Sequence, residues 1–332
     1  VIEFVRRAVD FDVLLILFAL LVTVEVLRAS GCLDRAVAAT VARFRTTRGF
    51  ALALIAAAGV LAALVTNDVT LFVVIPFTVI ASRFSDFDLE DAVILEIVAA
   101  NLIGCLTPLG NPQNLFVFHR SGWSAAHFVA VMFPFVAVCA AGLLAALFLL
   151  GRSRPMTTSE VTLRPLDARA ALAGFVAFAL VLLEIAHVVS AWPAAIAALI
   201  AGMFVLRRRF FSVDLSILPI FFVAFLIVEG LRTLNVYRSG AHLYAASIAL
   251  SQVISNVPAT VLLAPLARSD WRTLLYGVNA GGCGTIIASL ANLLGWRIYV
   301  KESGRDPRFF RRLTLINVSF LAWAAAAGWA LL

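Results

Sequence analysis

Four short stretches gather amides, hydroxyls and helix breakers inside apolar surroundings. "TND" at 66–68 and "SNV" at 255–257 each set a hydroxyl and an amide in the middle of a greasy run: Thr66, Asn67 and Asp68 in one, Ser255, Asn256 and Val257 in the other. "NLIGCLTPLGNPQN" at 101–114 carries Asn101, Gly104, Thr107, Pro108, Gly110, Asn111, Gln113 and Asn114, and "NAGGCGTIIASLAN" at 279–292 carries Asn279, Gly282, Thr285, Ser289 and Asn292. None of these is an activated nucleophile, since no Ser–His, His–Glu or Cys–His spacing accompanies them. Their chemistry is ligation by neutral oxygens and N–H groups, which suits a small solute or an alkali ion. Pro108 and Pro112 remove amide donors and disfavour helix just before them, so the chain there should split into two half-helices with free N–H and C=O groups. Asp68 is the one carboxylate of the set. At membrane depth it costs about 2.5–3.5 kcal/mol on insertion scales, which marks it as a functional residue.

The elements that must hold these side chains are membrane helices. The chain has 332 residues, 63% of them hydrophobic and 14% charged, with a mean hydropathy of +1.02. That composition is an all-α polytopic membrane protein, not a soluble domain. Apolar runs of spanning length fall at 11–28, 125–150, 168–187, 191–208, 213–232 and 309–332. Segments 90–118 and 272–300 have spanning length but are broken by Gly, Pro and Asn. Segments 49–83 and 241–268 are apolar on both sides of a polar tip and short for two full crossings, so they read as re-entrant hairpins. The expectation is about eight spanning segments plus the two hairpins, with 151–167 as a linker. A Thr-Asn or Ser-Asn tip suits the N-cap of the returning half-helix, whose amides carry partial positive charge.

The net charge of +7 reads as topology. If both hairpins return to their own side, seven of the 26 Lys and Arg lie on one face and nineteen on the other. The positive-inside rule then makes the basic loops cytoplasmic and puts both ends of this chain outside. Nucleic acid is not an expected partner. Arg207–Arg209 and the basic loop at 297–312 are topology signals, and Glu25 with Arg28 and Glu229 with Arg232 read as interfacial pairs. Cys32, Cys105, Cys139 and Cys283 form no metal or redox spacing, and no cofactor is expected beyond Na+ or H+ as a coupling ion. The chain begins at Val1, and its first apolar run lacks a small-residue cleavage site.

The sequence also repeats itself. "TNDVTLFVVIP" at 66–76 aligns without gaps to "SNVPATVLLAP" at 255–265, and 101–114 aligns to 279–292 at a constant offset of 178. Asn101/Asn279, Gly104/Gly282, Cys105/Cys283, Thr107/Thr285 and Asn114/Asn292 are identical pairs. "VEVLR" at 24–28 echoes "VEGLR" at 228–232. By span parity the copies face opposite ways, so 1–150 and 168–332 form two inverted repeats, each with a hairpin and a broken helix. Inverted repeats with broken helices are the architecture of secondary transporters, whose sites lie near the midplane, where irregular backbone survives only inside protein or beside a wet cavity. Opposed helix N-termini there would suit an anion.

These motifs resemble the ion-transporter superfamily, which includes citrate and dicarboxylate carriers, arsenite permeases and sodium/proton antiporters. The tips look like its paired Ser-Asn-Thr motifs, and "TPLGNPQN" at 107–114 looks like the broken-helix motif of the citrate-transporter-like and arsenite-permease branches. The resemblance covers nearly the whole chain and implies an inner-membrane elevator transporter, a homodimer, with no enzymatic activity. Dicarboxylate carriers have Thr after Asn at both tips, whereas this chain has Asp68 and Val257; arsenite permeases resemble it in having Asn-Asp. A carboxylate at the tip would repel a dianion and makes Asp68 the expected carrier of the coupling proton or sodium. The expectation is therefore ion-coupled transport of a small anion or oxyacid such as a carboxylate or arsenite. The rivals are a sodium/proton antiporter using the same amides, a membrane-embedded enzyme and a channel.

Overall fold

The computed structural model describes residues 9, 11–150, 153–157, 163–185, 188–213, 215, 218–219, 222–223, 226, 243–267, 269–304 and 307–332. Among them every regular element is helical, apart from an isolated antiparallel bridge between Thr46 and Pro155. The helices fall into two compact units.

One unit holds α1 (Phe11–Ala29), α2 (Cys32–Val41), α8 (Ala168–Ile185) and α9 (Ala191–Leu206). α1, α8 and α9 pack mutually through small and branched side chains. At Gly31, with φ 74°, the chain turns by 75° from α1 into α2. α2 lies at 32–41, where no element was expected from the sequence; it buries Asp34, Val37 and Val41 on one face, and an Asp34–Arg164 ion pair spans 3.7 Å. The expected span at 213–232 falls largely outside the described residues, as do Glu229, Arg232 and the second "VEGLR".

The other unit holds the rest: α3 (Thr47–Leu64), α4 (Asn67–Ala81), α5 (Leu89–Leu102), α6 (Pro112–Ser121), α7 (Ala125–Leu150), α10 (Leu243–Ile254), α11 (Asn256–Ala267), α12 (Trp271–Gly281), α13 (Leu290–Ser303) and α14 (Pro307–Leu331). α3–α4 and α10–α11 are the two helix pairs with polar tips, at 47–81 and 243–267 against the expected 49–83 and 241–268. α5 and α6 are separated by two 3-10 turns, Gly104–Leu106 and Pro108–Gly110, where the break at 90–118 was expected. α12 and α13 are separated at 282–289. Polar caps start these helices where the sequence turns inward: Thr46 Oγ1 accepts from Gly49 N at 3.2 Å, Asp88 Oδ1 from Asp91 N at 3.4 Å and Asp270 Oδ1 from Thr273 N at 3.2 Å. Pro76 in α4 and Pro265 in α11 occupy equivalent positions ten residues after each tip hydroxyl.

Among the described residues α3, α7 and α14 are long and apolar enough to cross a membrane, and the bent pair α1–α2 makes a fourth candidate. α3 reaches spanning length by itself, more than expected of one arm of a re-entrant hairpin, whereas α4, α10 and α11 are shorter. α7 buries one stripe (Phe128, Met132, Phe135, Cys139, Leu143 and Leu147) and exposes Phe133, Phe148 and Leu149, the pattern of a helix with protein on one side and lipid on the other. α7 and α14 pack on each other and on the broken helices. They therefore share a unit with the helix pairs and not with the remaining long helices.

α10 and α12 approach closely because small residues face each other. A Cβ on Gly277 would stand 2.6 Å from Ser247 Cβ, and one on Gly281 would stand 2.7 Å from Ser251 Cβ. The two serines spend their hydroxyls on their own helix, Ser247 Oγ donating to Leu243 O at 2.6 Å and Ser251 Oγ to Ser247 O at 2.7 Å, so the seam is small-residue packing. Gly277→Val is expected to overpack it and cost about 1–3 kcal/mol, read as a lowered unfolding temperature in detergent.

Candidate functional site

The polar residues singled out from the sequence converge within this second unit. At the first tip Thr66 Oγ1 accepts from Val69 N at 3.3 Å and caps α4, and Asn67 Oδ1 accepts from Asp68 N at 2.9 Å. Asn67 Nδ2 donates to Asn101 Oδ1 at 3.2 Å. At the second tip Ser255 has φ 73°, a conformation rare for a residue with a Cβ, and Asn256 opens α11 with its backbone N–H donating to Ala288 O at 2.9 Å. A Cβ on Gly282 would stand 2.8 Å from Asn256 Nδ2.

Two amide chains cross between the broken helices. Asn101 Nδ2 donates to Asn292 Oδ1 at 2.8 Å, and Asn279 Nδ2 donates to Asn114 Oδ1 at 2.8 Å. With the offset of 178, each bond is the other with the two copies exchanged. The same exchange relates the flanking donors: Ser289 Oγ reaches Asn101 Oδ1 at 3.0 Å, and Asn111 Nδ2 reaches Asn279 Oδ1 at 3.1 Å. Asn114 Nδ2 ties down Cys105 O and Thr107 O, and Asn292 Nδ2 ties down Gly282 O and Thr285 O. Thr107 Oγ1 donates to Ala63 O at 2.5 Å and Thr285 Oγ1 to Gln252 O at 3.0 Å, each to the residue three before its tip hydroxyl. Asn67, Asn101, Asn111, Asn114, Asn256, Asn279, Ser289 and Asn292 are all buried. Buried amides satisfied by one another hold a rigid frame, because an orphaned one is costly.

The breaks are tight as well as polar. Thr107 is extended between the two 3-10 turns, with Pro108 opening the second. A Cβ on Gly110 would run into the carbonyl oxygen of Gly104, so the loop closes backbone on backbone only with glycine there. Asn111 caps α6 through Asn114 N at 3.0 Å, and Ser289 caps α13 through Ala291 N at 3.2 Å. Four helix N-termini (α4, α6, α11 and α13) and two helix C-termini (α5 and α12) thus supply these two amide chains and the backbone bond beside them. Amide ends favour negative charge and carbonyl ends favour cations. Asp68 is the only charged residue of the tips and breaks, and its carboxylate has no hydrogen-bond or ion-pair partner among the described residues. Val257, its counterpart, is apolar and leaves the second tip without a charge.

Some polar residues of this unit were not singled out from the sequence. Gln252 sits on α10 three residues before Ser255; its Nε2 donates to Gly281 O at 2.8 Å and Cys283 O at 3.1 Å, and its Oε1 accepts from Thr285 N at 3.0 Å. Gln113, by contrast, was among the residues read from the sequence at the first break, and its Nε2 adds a donor to Asn279 Oδ1 at 3.3 Å. Glu96 is fully buried in α5 and accepts from Thr78 Oγ1 at 2.5 Å, while its other oxygen has no partner. A lone carboxylate in the run "AVILEIVAAN" is itself a signal in sequence. Glu25 and Arg28 lie on α1 in the other unit.

Comparison with known proteins agrees with a transporter. The family model described as Citrate transporter matches residues 1–270. The chain is 34% identical to the Escherichia coli inner membrane protein YbiR, over 98% of this chain and 88% of that protein. It is also 34% identical to the Methanocaldococcus jannaschii transporter MJ0456, over 89% of this chain and 82% of that protein. A shorter likeness, 27% identity over 40% of this chain and 16% of the relative, is to the human P protein.

Proposed function

The chain belongs to the citrate transporter family of membrane transporters, and from that premise we propose that it is an ion-coupled secondary transporter of a small anion or oxyacid, a carboxylate or arsenite for example. The observation that carries this reading is the exchanged pair of amide bonds, Asn101–Asn292 and Asn279–Asn114. A contact set that maps onto itself when its two copies are swapped is the signature of a two-fold relation. We take the copies to be inverted repeats, 1–150 and 168–332, joined by the linker at 151–167, with tips entering from opposite sides and meeting at the midplane. The solute would sit against the four helix N-termini, held by Thr66, Asn67, Ser255 and Asn256 at the tips and by the amides at the breaks. Asp68 would carry the coupling Na+ or H+.

The unit with both tips and both breaks would be the moving body of an elevator, with α1, α2, α8 and α9 belonging to the static part. A homodimer in the inner membrane follows from the same reading, with basic loops cytoplasmic; the relative named an inner membrane protein supports that location. The unpartnered Asp68 also suits a sodium/proton antiporter in which the amides hold no solute. Purified protein in liposomes separates the two. Uptake of citrate, phosphate or arsenite that saturates and accelerates under an imposed sodium or proton gradient is the expected result. Sodium-driven proton movement with no uptake of any of these solutes would favour the antiporter instead.

A further inference from the structure

The two halves of the site treat the same corner differently. In both, the threonine of the broken helix donates to the backbone carbonyl three residues before the tip hydroxyl, Thr107 to Ala63 and Thr285 to Gln252. That brace is common to both halves and needs no side chain from the hairpin. In the second half a side chain is added: the Gln252 amide nitrogen lies between Gly281 O and Cys283 O, with Ile248 O at 3.3 Å, while its oxygen takes Thr285 N. The fit is close, for a Cβ on Gly284 would collide with Gln252 Oε1. The equivalent residue in the first half is Ala63, whose methyl group can neither donate nor accept a hydrogen bond.

The chemistry of that corner is that of a cation position. Carbonyl oxygens released where a helix is broken coordinate Na+ in transporters of this architecture. An amide N–H2 is neutral, but it presents positive hydrogens to the same oxygens. We propose that the Gln252 carboxamide is a tethered stand-in for a cation in the second half, so that the central site takes a single coupling cation, on the Asp68 side. The charges agree: the first half has an unpartnered carboxylate and no amide at this corner, and the second has an amide and Val257 in place of the acid. This rests on reading the tips and breaks as the transport site. It makes Gln252 a residue that sets ion stoichiometry.

The test is the sodium dependence of unfolding temperature for the purified full chain in detergent, at constant ionic strength with choline as replacement. The wild type is expected to be stabilised with a slope of about one bound cation, and Gln252→Ala with a slope approaching about two. Gln252→Ser, smaller but still polar, is expected to behave likewise and substitutes if the alanine variant does not fold. A wild type with a two-cation slope, or variants that lose the same stability with and without sodium, would overturn the proposal and leave Gln252 as a brace. A wild type indifferent to sodium beside a variant that responds would support the stand-in while removing sodium from the Asp68 half, so the failure of the proposed function is read separately.

Discussion

Asp68→Asn is expected to abolish gradient-driven transport while leaving the fold intact. Asn fits the same volume and keeps the polarity of the tip, and the Thr66 cap and Asn67 contacts do not use the Asp68 carboxylate. What disappears is the one formal charge at the tips and breaks. A unit charge pair about 4 Å apart at an effective dielectric of about 20 is worth about 4 kcal/mol, so cation affinity should fall by about a thousandfold. In proteoliposomes the variant should lose its response to imposed sodium and proton gradients, and its unfolding temperature without sodium should stay near that of wild type. An unchanged gradient response would move the coupling role elsewhere, with the buried Glu96 the next carboxylate to examine.

The second large effect is expected at the crossed amides. Asn279 accepts from Asn111 and Gln113 and donates to Asn114 and Leu275 O. Asn279→Ala strips partners from all four groups in a buried setting. Single interhelical hydrogen bonds in membranes average only about 0.6 kcal/mol, but orphaned buried polar groups cost about 1–3 kcal/mol each. With several orphaned together, about 3 kcal/mol or more is expected, alongside loss of transport. Asn101→Ala should cost a similar amount, since it holds the exchanged set with Asn67, Ser289 and Asn292. Asn317→Leu on α14 is the informative comparison: that amide is equally buried, yet its oxygen has no partner, so its loss should cost little. Equal costs at Asn279 and Asn317 would mean that burial, not the network, sets the price.

Much of this arrangement was legible in the residues. Tip positions, helix breaks and the pairing of the copies follow from Asn, Gly and Pro in apolar runs, because polar groups and prolines leave few alternatives in a bilayer. The helix-pair limits at 47–81 and 243–267 differ from the expected ones by two residues at each end of the first and by one or two in the second. What stayed hidden depended on tertiary partners. Gln252 reads as an ordinary polar residue near a tip until Gly281 O and Cys283 O are seen around it. The short helix at 32–41 mixes polar and apolar residues and has no spanning signal. Membership of α7 and α14 in the unit with the tips is set by packing stripes against the broken helices, which a uniformly apolar sequence does not reveal.

The antiparallel placement of the two hairpins in the bilayer can be tested by sided labelling with a membrane-impermeant thiol reagent. Cys105, Cys139 and Cys283 are buried, so Cys32→Ser provides a quiet background. Single cysteines replacing Asp86, beyond the open end of α3–α4, and Ser269, beyond the open end of α10–α11, are the reporters. Asp86→Cys is expected to react only from the cytoplasmic face and Ser269→Cys only from the outer face. Reaction of both from the same face would contradict inverted repeats, and with them the shared central site.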